Sequence, residues 1–136
     1  MDINNLTLPQ APFDTVETTE LFKDKKVILF GLPGAFTPTC STKQLPGYEE
    51  MFHKFQEKGI DEIYCVSVND AFVMSKWFKD QEVLNVRWLA DGSGLLTERL
   101  GMLCKKVYAS FLSFVSISTS LFLLPFLSMI PILYAS

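Results

Sequence analysis

Cys40 is the residue of this chain best placed to do chemistry. It ends the run PGAFTPTC, residues 33–40, where one thiol stands beside two prolines and two threonines. The preceding run, KKVILFGL, reads as a buried strand, and the segment from Ser41 reads as the start of a helix. A cysteine at such a strand-to-helix junction sits where unpaired backbone N–H groups point outward. Those groups favour the thiolate, the nucleophilic form of the side chain. The loop is therefore suited to making this thiol a selective nucleophile.

The elements that must hold this loop follow from apolar spacing. Lys26 to Leu32 is rich in β formers and is bounded by charge before and Pro-Gly after. Leu45 to Lys58 has helical spacing, with Pro46 near its start and Tyr48, Met51, Phe52 and Phe55 at i, i+3, i+4 and i+7. Gly59 suits a helix stop. Ile63 to Val68 reads as a second strand. Asn69-Asp70 is a capping pair for a helix over Ala71 to Gln81, whose apolar face is Phe72, Val73, Trp77 and Phe78. Val86 to Leu89 is a third strand, closed by the turn at Asp91-Gly92. Gly94 to Leu100 reads as a short helix. Leu21 and Phe22 anchor a segment leading into the first core strand. The order β-α-β-α-β-α predicts an α/β domain with a mostly parallel sheet flanked by helices.

Composition narrows the function. The chain has 136 residues, enough for one domain with a real core. A net charge of -3 gives no basic footprint for nucleic acid. The three cysteines, Cys40, Cys65 and Cys104, are odd in number and widely spaced, and His53 is the one histidine. That set supports neither a disulfide framework nor a zinc site, and no metal or cofactor is invoked. Free thiols point to a reducing compartment. The N-terminus lacks signal- and transit-peptide patterns, so a cytoplasmic protein is the expectation.

The stretch FGLPGAFTPTCSTKQLPGY resembles the peroxiredoxins, in particular the atypical type 5 or plant type II branch. The family motif PxxxTxxC is met by Pro33, Thr37 and Cys40. The blocks GIDEIYCVSVNDAFVM and LADGSG continue the resemblance, which covers about residues 1–104. It implies a thioredoxin-like fold and reduction of hydroperoxides. Cys40 is then the peroxidatic nucleophile, which becomes a sulfenic acid. Thr37 positions the peroxide through its hydroxyl, and Pro33 shields the thiol without adding an N–H. Backbone amides near Cys40 polarise the peroxide as charge develops. The implied partners are a hydroperoxide substrate and a thiol reductant, either glutathione with glutaredoxin or thioredoxin.

The remaining candidates have plainer readings. Cys65 lies in an apolar strand pattern and reads as a buried structural residue. Cys104 has no local partner and reads as incidental, with a resolving thiol as the alternative. His53 reads as a solvated surface residue. Phe36 and Pro38 flank the loop with apolar surface, which fits either core packing or, by the family resemblance, a homodimer contact.

Two features depart from the family. Its active-site arginine comes later in the chain, but no arginine follows Arg99 here. Arg87, on the LADG strand, and Arg99, on the short helix, do not match the motif position. Lys105 and Lys106 stand before the missing element and lack the bidentate geometry of a guanidinium. The thiolate thus lacks a charge partner, and the fold is expected to be incomplete at its C-terminal end. A catalytically impaired, truncated variant that binds a partner or a membrane is the alternative function.

The second departure is the tail, residues 105–136. Every charged residue lies in residues 1–106, and Val107 to Ser136 carry none. Three readings of this tail are open. It is long enough for a membrane span, although serines dilute its first half and Pro125 and Pro131 interrupt its second. It could instead supply a core element, as the pattern from Phe111 to Ile117 allows. Or it is translated non-homologous sequence, as the abrupt switch after a well-matched block suggests.

Overall fold

The computed structural model describes residues 3–102 and 133–135. The chain opens with a hairpin whose strands, β1 (Thr7–Ala11) and β2 (Asp14–Glu17), pair antiparallel. Its tip carries Phe13 to the surface, where the ring meets Phe72 edge-on at 5.6 Å between centroids. A short helix, α1 (Thr18–Phe22), then delivers Leu21 to the interior.

The central sheet has the order β5-β4-β3-β6. Strand β3 (Val27–Leu32) runs parallel to β4 (Glu62–Ser67), with Phe30 opposite Cys65. Strand β5 (Arg87–Ala90) runs parallel to β4 on the far side. Strand β6 (Leu133–Ala135) pairs antiparallel with β3 through Val27, Ile28 and Leu29. Between the parallel strands run α2 (Leu45–Glu57) and α3 (Ala71–Asp80), and α4 (Leu95–Arg99) follows β5.

Side chains alternate across the strands with the period of two that a pleat imposes. Ile28, Phe30 and Leu32 of β3 join Ile63 and Cys65 of β4 in one core layer, packed with Tyr48, Phe52 and Phe55 of α2 and Met74 and Trp77 of α3. Val27, Leu29, Tyr64 and Val66 point the other way. They meet Leu6, Leu8 and Leu21 from the N-terminal arm and Leu96 and Leu100 from the region of α4. A sheet buried on both faces explains the near-continuous apolar runs in β3 and β4.

The expected helices and strands agree with these elements to within a residue or two, and one helical face is corrected. Phe72 and Val73 do not form the buried face of α3. Phe72 is 60% exposed, and the residues turned inward are Ala71, Met74, Trp77 and Phe78. The cap sets this phase. Asp70 Oδ1 accepts from the N–H groups of Phe72 and Val73, both at 2.9 Å, which fixes where the first turn begins. Helix α4 is held by a similar device. The fully buried Asp91 accepts from Leu96 N (3.1 Å), Thr97 N (2.8 Å) and Thr97 Oγ1 (2.6 Å).

No helix among the described residues is long and apolar enough to cross a membrane. Cys104, the Phe111 to Ile117 pattern and the rest of the tail apart from β6 lie outside the described residues.

Candidate active site

The loop after β3 leads directly into a helix. Pro33 is exposed, Gly34 and Ala35 are half-buried, and Phe36 takes a left-handed backbone with φ 61°. For a bulky side chain that conformation costs about 1–2 kcal/mol, so the surroundings must hold the loop in place. Helical backbone begins at Pro38, earlier than the Ser41 start read from sequence. A proline suits that position because the first helical N–H has no partner anyway. Ser41 N donates to Thr37 O at 3.0 Å and closes the first turn.

Cys40 is therefore a first-turn residue whose N–H has no acceptor within the helix. From Cys40 to Gln44 the helix widens, and Leu45 N donates to Cys40 O, five residues back. The next residue, Pro46, has no N–H to offer, which makes the widened turn tolerable here. The Cys40 side chain is 2% exposed and faces the same layer as Leu32, Leu45, Cys65 and Trp77. Water has little access to it.

Thr37 is half-buried and its hydroxyl donates to Gly34 O at 2.8 Å. A threonine has one O–H proton. With that proton committed to a carbonyl, the oxygen offers only lone pairs to anything else that approaches. Ala35 N donates to Asn69 Oδ1 at 2.9 Å, and Ser67 Oγ donates to the same oxygen at 2.7 Å. The sequence suggested Asn69-Asp70 as a capping pair. Asp70 alone caps α3 with its side chain, and the side chain of Asn69 turns to the loop. Trp77 Nε1 donates to Ser41 Oγ at 2.9 Å, so α3 also grips the residue after Cys40.

Neither Asn69 nor Trp77 was recognisable as a support for the loop. The signal available for Asn69 was a polar pair, Ser67 and Asn69, at the end of an otherwise apolar strand. For Trp77 it was an indole at a core position, whose N–H must find an acceptor when buried.

The other titratable groups fall elsewhere. Cys65 is fully buried, and its thiol is pushed well above its ordinary range, first by burial and then by the nearby Cys40. The Tyr48 ring stacks on Phe30 at 3.8 Å, and burial pushes its hydroxyl strongly up. His53 is exposed, with Nδ1 3.3 Å from Gln56 Oε1. Arg87 Nη1 lies 3.5 Å from Glu62 Oε1, and Arg99 Nη1 donates to Asn4 O at 3.0 Å. Among the described residues no group of three or more His, Cys, Asp or Glu side chains could hold a metal ion.

The sequence matches the Redoxin family over residues 2–123. The fold matches reduced Prx3 from Vibrio vulnificus with a TM-score of 0.67 and 41% identity, over 80% of this chain and 74% of that one. The chain belongs to the peroxiredoxin family. The complex of the same Vibrio protein with H2O2 matches with a TM-score of 0.70 and 46% identity, over 74% of this chain and 65% of that one. A peroxiredoxin from Rhizobium etli is 56% identical over 89 residues, 65% of this chain and 50% of its own length. Peroxiredoxin-2B of Arabidopsis thaliana is 53% identical over 89 residues, 65% of this chain and 55% of its own. The chain thus spans about half the length of the curated peroxiredoxins it matches. The thioredoxin-like α/β fold and the family assignment implied by the PGAFTPTC loop both hold.

Proposed function

We propose that this chain is a thiol peroxidase in which Cys40 attacks hydrogen peroxide or an alkyl hydroperoxide. The observation that carries the reading is the Cys40 thiol, buried in the first turn of a helix and preceded by a threonine hydroxyl whose proton is already engaged. The Vibrio relative in complex with H2O2 supports the substrate class.

In this reading Thr37 accepts a hydrogen bond from the O–H of the hydroperoxide and holds that oxygen for attack. The N–H of Cys40 stabilises charge as it develops. The thiolate sulfur bonds to the held oxygen, the O–O bond breaks, and its electron pair leaves with the distal oxygen. That oxygen takes from solvent the equivalent of the proton that the Cys40 thiol gave up and departs as water or an alcohol, and Cys40 becomes a sulfenic acid. Pro33 covers the approach without adding an N–H to compete for the substrate.

An external thiol completes the cycle, either glutathione with glutaredoxin or thioredoxin. The first thiol condenses with the sulfenic acid, releasing water and leaving a mixed disulfide. A second thiol displaces Cys40. Trapping a Cys40–glutathione disulfide by mass spectrometry tests the glutathione route. Stopped-flow measurement of peroxide consumption tests the reaction itself, with Cys40→Ser as the control. Turnover that survives Cys40→Ser sinks the reading.

A second reading is favoured by the arginines. Among the described residues the two arginines, Arg87 and Arg99, contact Glu62 and Asn4. On this reading the chain is a weakly active variant that binds a partner or a membrane. Cys40-dependent consumption at the speed of a full-length relative eliminates it. The proposed location is the cytoplasm, with membrane association through residues 107–136 as the alternative; release by alkaline carbonate argues against integral insertion. A homodimer through the face bearing Phe36 is the proposed assembly, and a strictly monomeric gel-filtration profile counts against it.

A further inference from the structure

We propose that Asn69 is a positioning residue for the peroxide reaction: it sets the direction of the Thr37 hydroxyl by gripping the Gly34–Ala35 peptide. The inference deepens the peroxidase reading and rests on it. One peptide unit links the two side chains. Ala35 N–H and Gly34 C=O belong to the same planar group, and none of the peptide bonds among the described residues is cis. In a trans peptide the N–H and the C=O point to opposite sides. Ala35 N donates to Asn69 Oδ1 at 2.9 Å, and Gly34 O accepts from Thr37 Oγ1 at 2.8 Å. Fixing one side of the plane therefore fixes the other. Rotation of this peptide away from Asn69 would carry the Gly34 carbonyl away from the threonine.

The anchor is itself anchored. Ser67 Oγ donates to Asn69 Oδ1 at 2.7 Å and lies 3.3 Å from Leu32 O at the end of β3. Asp91 N donates to Ser67 O at 2.9 Å, and a Cβ on Gly92 would lie 3.4 Å from the Asn69 carbonyl oxygen. The turn after β5 is thus packed on the backbone of Asn69. The relay runs from Ser67 to Asn69, across the Gly34–Ala35 peptide, to the single hydroxyl proton of Thr37. With that proton held on Gly34 O, Thr37 meets the substrate as an acceptor only. Released, the hydroxyl could turn its proton toward the substrate and present the wrong polarity to a hydroperoxide O–H.

What Asn69 contributes is an acceptor oxygen. Asn69→Ala removes it, whereas Asn69→Asp keeps it. Peroxide consumption by the full chain, measured with hydrogen peroxide, is expected to fall about ten-fold in Asn69→Ala, the scale of one oriented hydrogen bond. Asn69→Asp is expected to stay within about two-fold of the wild type. In a Thr37→Val background, Asn69→Ala is expected to add no further loss, because no hydroxyl remains to orient. A second measurement does not depend on turnover. Three-bond NMR couplings are expected to report a single Thr37 rotamer in the wild type and in Asn69→Asp, and rotamer averaging in Asn69→Ala. The inference is overturned if Asn69→Asp is as slow as Asn69→Ala, if the Asn69→Ala and Thr37→Val losses multiply, or if Thr37 keeps one rotamer in Asn69→Ala. A wild type inert to peroxide sinks the peroxidase reading alone, and the couplings then decide the role of Asn69.

Discussion

The indole of Trp77 donates to the hydroxyl of Ser41 at 2.9 Å, joining the middle of α3 to the residue that follows Cys40. Trp77 is fully buried, so its N–H loses its acceptor inside the fold if the Ser41 hydroxyl is removed. Ser41→Ala is expected to lower the unfolding free energy by about 1–2 kcal/mol, the cost of stranding a buried donor. Urea titration measures it. A change within about 0.3 kcal/mol would show that the bond contributes nothing net.

Tyr48 makes the opposite prediction. Its hydroxyl is buried without a hydrogen-bond partner among the described residues, while its ring stacks on Phe30. Removing an unsatisfied buried hydroxyl spares its desolvation cost. Tyr48→Phe is expected to stabilise the fold by about 1 kcal/mol. A lower urea midpoint for the variant would count against this account.

Glu49 fastens α2 to the start of β5. Its carboxylate accepts from Leu84 N (3.1 Å), Asn85 N (2.9 Å), Asn85 Nδ2 (2.7 Å) and Val86 N (2.9 Å). Burial alone would raise its pKa, but the hydrogen bonds from Val86, Asn85 and Leu84 outweigh it and hold the carboxyl below its ordinary value. A depressed acid stabilises the fold above its unfolded pKa and loses that contribution as pH falls through the folded one. Stability is expected to decline as pH drops from about 5 toward 3, and Glu49→Gln to flatten part of that decline. Parallel pH profiles for the two proteins would remove Glu49 from the explanation.

Cys65 acts at the other end of the pH scale. Burial, then the nearby Cys40, push its thiol well up. The stabilisation is complete below the unfolded value, about 8.5, and is lost as pH rises toward the folded one, because the unfolded chain sheds its proton first. The urea midpoint is expected to fall as pH climbs from about 8 to 10, with a shallower fall in Cys65→Ala. Iodoacetamide should label Cys65 only after unfolding, since the folded thiol is both protonated and inaccessible. Rapid native labelling at that position would contradict the burial argument.

Much of this fold is legible in the chain because its core elements carry strong patterns. The runs 27–32 and 62–67 are apolar enough to mark buried strands, and the spacing of Tyr48, Phe52 and Phe55 marks a helix. The β1–β2 hairpin left little trace. Its strands are short and largely half-exposed, with Pro9 inside the first. The buried face of α3 is not legible, because apolar residues surround the helix on several sides and the bonds made by Asp70 fix where its first turn begins. In the site, Cys40 stands out by its place after a strand, and Thr37 by the family motif it completes. Asn69 does not, because an asparagine beside an aspartate before a helix looks like a cap. Only the adjacency of β3 and β4 turns it toward Ala35.

That adjacency has a consequence for synthesis. The Asn69–Ala35 bond spans 34 residues of chain. A nascent chain exposes Cys40 before Asn69, Trp77 and the second parallel strand exist to enclose it. At ribosomal speeds that interval lasts about two to seven seconds. For that time the thiol is uncovered, open to whatever oxidant or chaperone it meets. Enclosure arrives only when the crossover closes.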